Sequence, residues 1–345
     1  MTKKLHQQLN PQINIDELWA ERDQVTVIDV RSPKEYLEGA IPGAVNLPLL
    51  SDTERSKVGI LYKQFGQAKA IDEGYQILEP KMDHFRSYFN QFSKKIPLIV
   101  YCARGGMRSQ VITSLSRAIG FDARQLIGGY KAFRNFNLDS LKNCPFSSRL
   151  VVLHGKTGVG KTLVLTQLLN SLDLEGLAQH RGSLFGGIGK DPVTQKTFEA
   201  QLLARIESLD HRQPIFVEGE SRKIGDLLVP PTIFESMKNG RMILLEASLE
   251  TRVARTVEEY VTNQPENRPE IRAVIGLIEK DLGKKNVKRL QDEFDKGEYE
   301  KCFGYILLNY YDKKYAHSMK NLVVEDTISS ENIARAAQQL NKMAV

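Results

Sequence analysis

Cysteine is scarce: Cys102, Cys144 and Cys302 are the three in 345 residues, and they lie far apart. An odd, scattered set excludes a disulfide framework and a zinc site with CxxC spacing, which leaves a cysteine the part of a nucleophile. Long apolar runs are missing too. None approaches the ~20 residues that a transmembrane helix needs, and the first ten residues are polar rather than signal-like. A cytoplasmic protein with no membrane span is expected. Charge of one sign is in modest excess: a net charge of +6 suits a polyanionic partner without establishing nucleic-acid binding. There is no internal repeat, no low-complexity tract, no Asp-rich prenyl diphosphate motif and no motif that specifies adenine or guanine.

A hydrophobic content of 41% over 345 residues is enough for two separate cores. Apolar, β-branched runs at 25–30, 98–101, 150–153, 215–217 and 242–245 read as buried parallel strands. Between them, 108–119, 161–172, 194–209 and 248–261 carry apolar positions three and four apart, the helical period. This alternation predicts α/β layering. The Asn- and Ser-rich stretch 135–149, with Pro145, is the expected linker between a domain at 1–140 and another at 141–345. Residues 268–319 read as mostly helical, with a basic cluster of Lys280, Lys284, Lys285, Lys288 and Arg289 whose plain reading is a solvated helix face.

The strand at 98–101 runs into Cys102-Ala103-Arg104-Gly105-Gly106-Met107-Arg108-Ser109, after which a helical period begins. A cysteine at that junction meets unpaired backbone N–H groups and the helix dipole, so its thiolate is favoured, and the thiolate is the nucleophile. Gly105 and Gly106 allow the loop to curl into an anion-binding nest. Arg108, assisted by Arg104, can add charge-assisted hydrogen bonds to an oxyanion. The alternative is an ordinary buried cysteine beside a glycine-rich turn.

The strand at 150–154 leads into Gly155-Lys156-Thr157-Gly158-Val159-Gly160-Lys161-Thr162, a full GxxxxGK[ST] match in strand–loop–helix context. Gly155, Gly158 and Gly160 let backbone N–H groups approach phosphate oxygens. Lys161 reaches the terminal phosphates, and Thr162 can hold Mg²⁺. Glu218 and Glu220, at the end of the next apolar strand, are candidates for a second metal or phosphate site, or equally for a solvated strand end. Gly186-Gly187-Ile188-Gly189 lacks a preceding strand and reads as a flexible turn.

The first half resembles the rhodanese family through Ile28-Asp29-Val30-Arg31-Ser32-Pro33, then Gly39-Ala40-Ile41-Pro42-Gly43-Ala44, and finally Gly128-Gly129-Tyr130. Five residues separate Cys102 from Arg108, one more than in the common sulfurtransferase loop, which keeps open a phosphatase-like cradle. Rhodanese motifs followed by this P-loop resemble the bacterial tRNA 2-selenouridine synthase family. The likeness continues through Glu54-Arg55-Ser56-Lys57-Val58-Gly59, His180-Arg181-Gly182-Ser183-Leu184-Phe185-Gly186 and 218–225. Ala103 stands where that family usually has Trp. The resemblance implies an N-terminal rhodanese-like domain followed by a P-loop NTPase-like α/β domain with a helical, partly basic C-terminal part.

It also implies geranyl transfer from geranyl diphosphate to the sulfur of wobble 2-thiouridine in tRNA, then replacement of the geranylthio group by selenium from selenophosphate. In that scheme the diphosphate falls to the P-loop, the selenium to Cys102 as a perselenide, and no tightly bound cofactor is expected beyond Mg²⁺. An enzyme that supplies selenophosphate would be a partner. Lys284, Lys285, Lys288 and Arg289 with Lys313 and Lys314 are candidates to hold tRNA phosphates, and Tyr310, Tyr311 or Tyr315 to stack on bases. The competing functions are a nucleotide-regulated rhodanese-type sulfurtransferase or a cysteine phosphatase.

Overall fold

A computed structural model of the chain describes residues 11–144, 150–318 and 322–343. Two compact units divide after Ser140. The helix Gly129–Lys142 runs through the first half of the expected linker, because Phe133 and Leu141 pack and Asn137 is buried with them while Asn135 stays exposed. Residues 145–149 of that linker, Met319 of the expected helical stretch and the polar first ten residues lie outside the described part.

The first unit is built on a parallel sheet with strand order β1-β5-β4-β2-β3, formed by β1 (Gln12–Ile13), β2 (Thr26–Asp29), β3 (Val45–Asn46), β4 (Leu98–Tyr101) and β5 (Ala123–Leu126). β4 is central and all four of its residues are buried, as a strand covered on both faces requires. Ile28, Leu47, Phe85, Phe89, Val100 and Ile112 pack into one cluster beneath it. The helix Met107–Ala118 buries Thr113 and Ser116, whose hydroxyls donate back to the carbonyls of Ser109 and Ile112 at 2.8 Å, so no polar group is left bare. β1 and β5 escaped the sequence reading because one is two residues long and the other carries Arg124 and Gln125.

Between β3 and β4 runs a 27-residue helical segment, Asp52–Leu78, opened by a capping box of Ser51 and Glu54. It is broken at Gly66 (φ 84°, ψ −175°). Lys57 Nζ meets Glu73 Oε1 at 2.6 Å across 16 residues. On a straight helix that separation would span ~24 Å, so the chain doubles back into a helical hairpin.

The second unit holds a parallel sheet ordered β12-β11-β6-β8-β7: β6 (Leu150–His154), β7 (Ser171–Leu172), β8 (Ile215–Glu218), β11 (Arg241–Glu246) and β12 (Asp326–Ser329), with β9 (Lys223–Ile224) and β10 (Leu227–Leu228) as a separate hairpin. The helix expected at 161–172 stops at Leu165. Asn170 ends that stretch: its side-chain amide donates to Asp210 O and Pro214 O and accepts from Asp210 N, and its carbonyl accepts from Phe216 N. The chain therefore joins β8 as an edge strand and leaves Leu169 94% exposed. The stretch read as helical beyond Arg268 is helical up to Ser318, around a core of Val253, Ile271, Leu290, Phe294 and Phe303. No helix among the described residues is long and apolar enough to cross a membrane.

Candidate active site

Cys102 caps the carboxyl end of β4 and is 3% exposed. Its Sγ accepts from Gly106 N and from Ser109 Oγ, both at 3.2 Å. Burial works against ionisation, but the Ser109 hydroxyl, the backbone N–H groups of Arg104 and Ser109 and the Arg108 charge outweigh it, and the thiol pKa falls below its ordinary value. The other two thiols go the opposite way. Burial raises Cys144 to about 11 and Cys302 to about 12, each with a glutamate adding to the effect.

The loop is held from behind by the third rhodanese-like stretch. Tyr130 N and Lys131 N donate to the carbonyls of Cys102 and Ala103 at 2.8 and 3.0 Å. Gly129 (φ 57°) must be glycine, since a Cβ there would fall 2.2 Å from Cys102 O. At Gly105 (φ 64°) a Cβ would fall 2.7 Å from Leu126 O. By contrast Gly106 has open space and an ordinary negative φ, so what it contributes is its N–H. The expected two-glycine nest is thus a steric glycine followed by a donor.

Arg31, paired with buried Asp29 at 2.6 Å, stacks 4.0 Å from the Tyr130 ring and so ties the first motif to the third. Gln125, 4% exposed on β5, was missed in the sequence. Its Nε2 donates to Gly105 O and Gly106 O at 3.0 Å and to Ser109 Oγ at 2.8 Å. One polar residue in a four-residue strand carries no sequence pattern that could have found it.

Arg108 is not aimed at an incoming oxyanion. Its guanidinium forks onto Glu35 at 2.6 and 3.2 Å, and Arg55 approaches the same carboxylate at 3.6 Å. The sequence expectation is corrected accordingly: Arg108 acts on the sulfur through its field, while Arg104 is exposed.

In the second unit the phosphate loop follows β6, the middle strand, where open α/β sheets place ligands. Gly158 (φ 82°) and Gly160 (φ 89°) adopt backbone that side chains avoid, and a Cβ at Gly155 would meet Leu245 O at 2.7 Å. The loop's carbonyls are tied outward, a feature the sequence did not announce. Arg252 Nε donates to Thr157 O at 2.9 Å while its fork grips Asp312 at 3.0 and 2.6 Å. Arg255 and Ser330 Oγ donate to Val159 O at 2.7 and 2.8 Å. Lys161 Nζ rests on Gly155 O at 3.1 Å.

The carboxylates beside Lys161 are arranged differently from the expectation. Thr162 Oγ1 donates to Glu175 Oε2 at 3.2 Å, so the acid on the threonine is Glu175, at the start of the helix Leu174–Ala178. Glu218 is fully buried; it accepts from Glu175 N at 2.6 Å through Oε1, and its Oε2 has no partner. Glu220 lies 4.0 Å from Lys161. The solvated strand-end reading of Glu218 and Glu220 fails on this burial. Burial first, then Glu220, pushes Glu175 up to about 8, and burial also raises Glu218 and Glu220.

An orphaned buried carboxylate oxygen among acids of raised pKa is the setting that a cation and a bound phosphate would relieve, and Mg²⁺ commonly takes one or two carboxylates plus phosphate oxygens. Thr162 and Glu175 fit that role. His154, ending β6, is held neutral by burial and by Lys161, its pKa lowered to about 4. The Gly186–Gly189 stretch is a turn as expected; Gly186 within it and Gly225 beyond it leave room for the His180 ring, where a Cβ would come within 2.8 Å.

Lys280, Lys284, Lys285, Lys288 and Arg289 are exposed, with Arg289 stacked 4.3 Å from Tyr305. Lys313 is exposed, and Lys314 sits 4.0 Å from the Tyr310 ring. Tyr310 and Tyr311 pack in the helical core and offer no free face to a base. Tyr315 is half-buried against the Gly155 backbone, with its pKa raised by burial to about 12.

Residues 14–136 match the family model for the rhodanese-like domain, and residues 148–344 match that for the tRNA 2-selenouridine synthase AAA domain. The tRNA 2-selenouridine synthase of Pseudomonas syringae pv. syringae (strain B728a) is 43% identical over 248 residues, covering 70% of this chain and 67% of its own. That of Hydrogenovibrio crunogenus (strain DSM 25203 / XCL-2) is 39% identical over 324 residues, covering 86% and 90%. Among solved structures, a rhodanese-like domain protein from Staphylococcus aureus is 26% identical with a TM-score of 0.24, covering 35% of this chain and 89% of its own. With its two units in the order and with the loops just described, and with likeness along most of its length, the chain belongs to the tRNA 2-selenouridine synthase family.

Proposed function

We propose that this chain converts 2-thiouridine at the wobble position of tRNA to 2-selenouridine in two steps, geranylation and then selenation. The relatives' name supports the tRNA substrate and the selenium product. The observation that carries the division of labour is that one chain holds a thiol with lowered pKa in one unit and a glycine-strained phosphate cradle with Lys161 in the other.

In the first step the thiocarbonyl sulfur attacks carbon 1 of geranyl diphosphate, the C–O bond breaks, and pyrophosphate leaves. Negative charge grows on the departing oxygens, where the loop N–H groups and Lys161 stabilise it. Mg²⁺, when bound, would supply further charge neutralisation to the same oxygens. Alkylation converts a poor leaving group into a thiol.

In the second step selenium displaces geranylthiol at carbon 2. Attack of the Cys102 thiolate on the selenium of selenophosphate takes up one proton, leaves a perselenide and expels phosphite; an external thiol must later cut the S–Se bond. Attack on phosphorus instead frees selenide and ends in phosphate. The oxyanion released therefore identifies the route. A cytoplasmic setting and an enzyme that delivers selenophosphate follow from this reading. A phosphatase is disfavoured because Arg108 is occupied by Glu35, and a nucleotide-regulated sulfurtransferase would leave the carboxylate-lined cradle without chemistry.

The test uses Lys161→Ala, with circular dichroism to verify folding. Losing a fixed donor to a developing oxyanion typically costs about 2.7–4 kcal/mol, so geranylation should fall roughly two to three orders of magnitude. Supplied with pre-geranylated tRNA and selenophosphate, the variant should still form 2-selenouridine, whereas Cys102→Ser should geranylate and fail to selenate. Failure of Lys161→Ala on both substrates, by nucleoside mass analysis, would sink the division of labour.

A further inference from the structure

The helical hairpin 52–78 of the first unit is absorbed by neither loop. From Arg55 to Lys69 it carries Arg55, Lys57, Lys63 and Lys69 and no acidic residue. A run of cations is ordinarily just a solvated face. Here the same stretch leaves Ile60, Tyr62 and Phe65 exposed at 53%, 58% and 66%, an arrangement that a merely solvated helix has no reason to keep. Tyr62 and Phe65 stand three residues apart on one helical segment, hence on the same face with Cβ atoms ~5–6 Å apart. Aromatic faces interleaved with lysines are what unpaired nucleotides take: bases stack on the rings and phosphates meet the charges.

The hairpin is also rooted at the cysteine loop. Arg55, in its first turn, shares Glu35 with Arg108. Gly59 leaves room for that guanidinium, since a Cβ there would fall 2.7 Å from Arg55 Nη1. The doubling back at Gly66, fixed by the Lys57–Glu73 pair, presents the tip as one short arm.

We infer that residues 55–69 form an arm that binds the single-stranded anticodon loop of the tRNA, stacking loop bases on Tyr62 and Phe65. This rests on the proposed tRNA substrate and adds the surface that grips it. The charge complementarity and the open rings favour RNA over a protein partner.

The full-length chain is titrated, by fluorescence anisotropy, against an anticodon stem-loop RNA with 2-thiouridine at the wobble position, and against the same stem closed by a stable tetraloop. Tyr62→Ala and Phe65→Ala should each weaken stem-loop binding about ten-fold, and Tyr62→Phe should restore it. Lys63→Ala should lower the salt slope by about 0.7. Binding to the tetraloop control should be weak and equal for all. Stem-loop affinity unchanged in both aromatic variants would overturn the inference. If the unaltered chain shows no preference for the stem-loop, the tRNA reading itself fails; if it prefers the stem-loop and the variants do too, only the arm is wrong.

Discussion

Reactivity at the cysteine loop comes down to one hydroxyl proton. Ser109 Oγ accepts from Gln125, which leaves its single proton to be given to Cys102 Sγ or to Gly106 O. An ionised sulfur wins that proton, and the hydrogen bond is the largest influence that counters burial in lowering the thiol pKa. Ser109→Ala should therefore move the thiolate absorbance of Cys102 to higher pH and slow selenation at neutral pH, with geranylation untouched. Cys144→Ser and Cys302→Ser should leave that titration in place, because both thiols stay protonated until well above neutral pH. A titration that did not move in Ser109→Ala would remove the hydroxyl from the account. The position of Cys102 between strand and helix, with donors on its sulfur, was legible in the sequence. Gln125 was not, because a single polar residue in a short strand has no pattern of its own.

At the scale of elements, the carboxylates near Lys161 meet because a strand, the turn after it and a short helix converge: Glu218 ends β8, Glu220 follows it, and Glu175 opens the helix Leu174–Ala178. Glu175 was hidden in the sequence because 161–172 carries a helical apolar period, so the chain break that Asn170 enforces through contacts some 40 residues away was invisible to local reading. The strands at 98–101, 150–154 and 215–218 were legible from continuous β-branched runs, whereas β12 shows a single buried residue in four.

The convergence has a pH signature. Glu175 titrates near 8 when folded against an ordinary 4.5, so between those values the folded unit holds more protons than the unfolded chain. Stability must then fall as pH rises through that window. The raised pKa values of Glu218 and Glu220 act with the same sign. The melting temperature of the second unit should drop between about pH 6 and pH 8.5 and recover with Mg²⁺ and pyrophosphate, and Glu175→Gln should flatten the dependence. A transition whose midpoint rises over that range would contradict the burial of these groups.

Taken as a whole molecule, the chain places its two chemistries in units whose loops are completed very differently. The cysteine loop is held by residues from 29 to 131, close in sequence. The phosphate loop is held by Arg252, Asp312 and Ser330, the last 171 positions beyond Val159. During synthesis, domains emerge and fold N-terminal first. A nascent chain released from the ribosome only as far as Ile306 already owns every residue that touches Cys102, yet lacks both the acid that grips Arg252 and the serine that ties down Val159. Such stalled chains should titrate at Cys102 like the finished protein and fail to bind pyrophosphate until Ser330 has cleared the tunnel. On the proposed division of labour, the capacity to carry selenium would arise in each new molecule before the capacity to prepare the base that receives it.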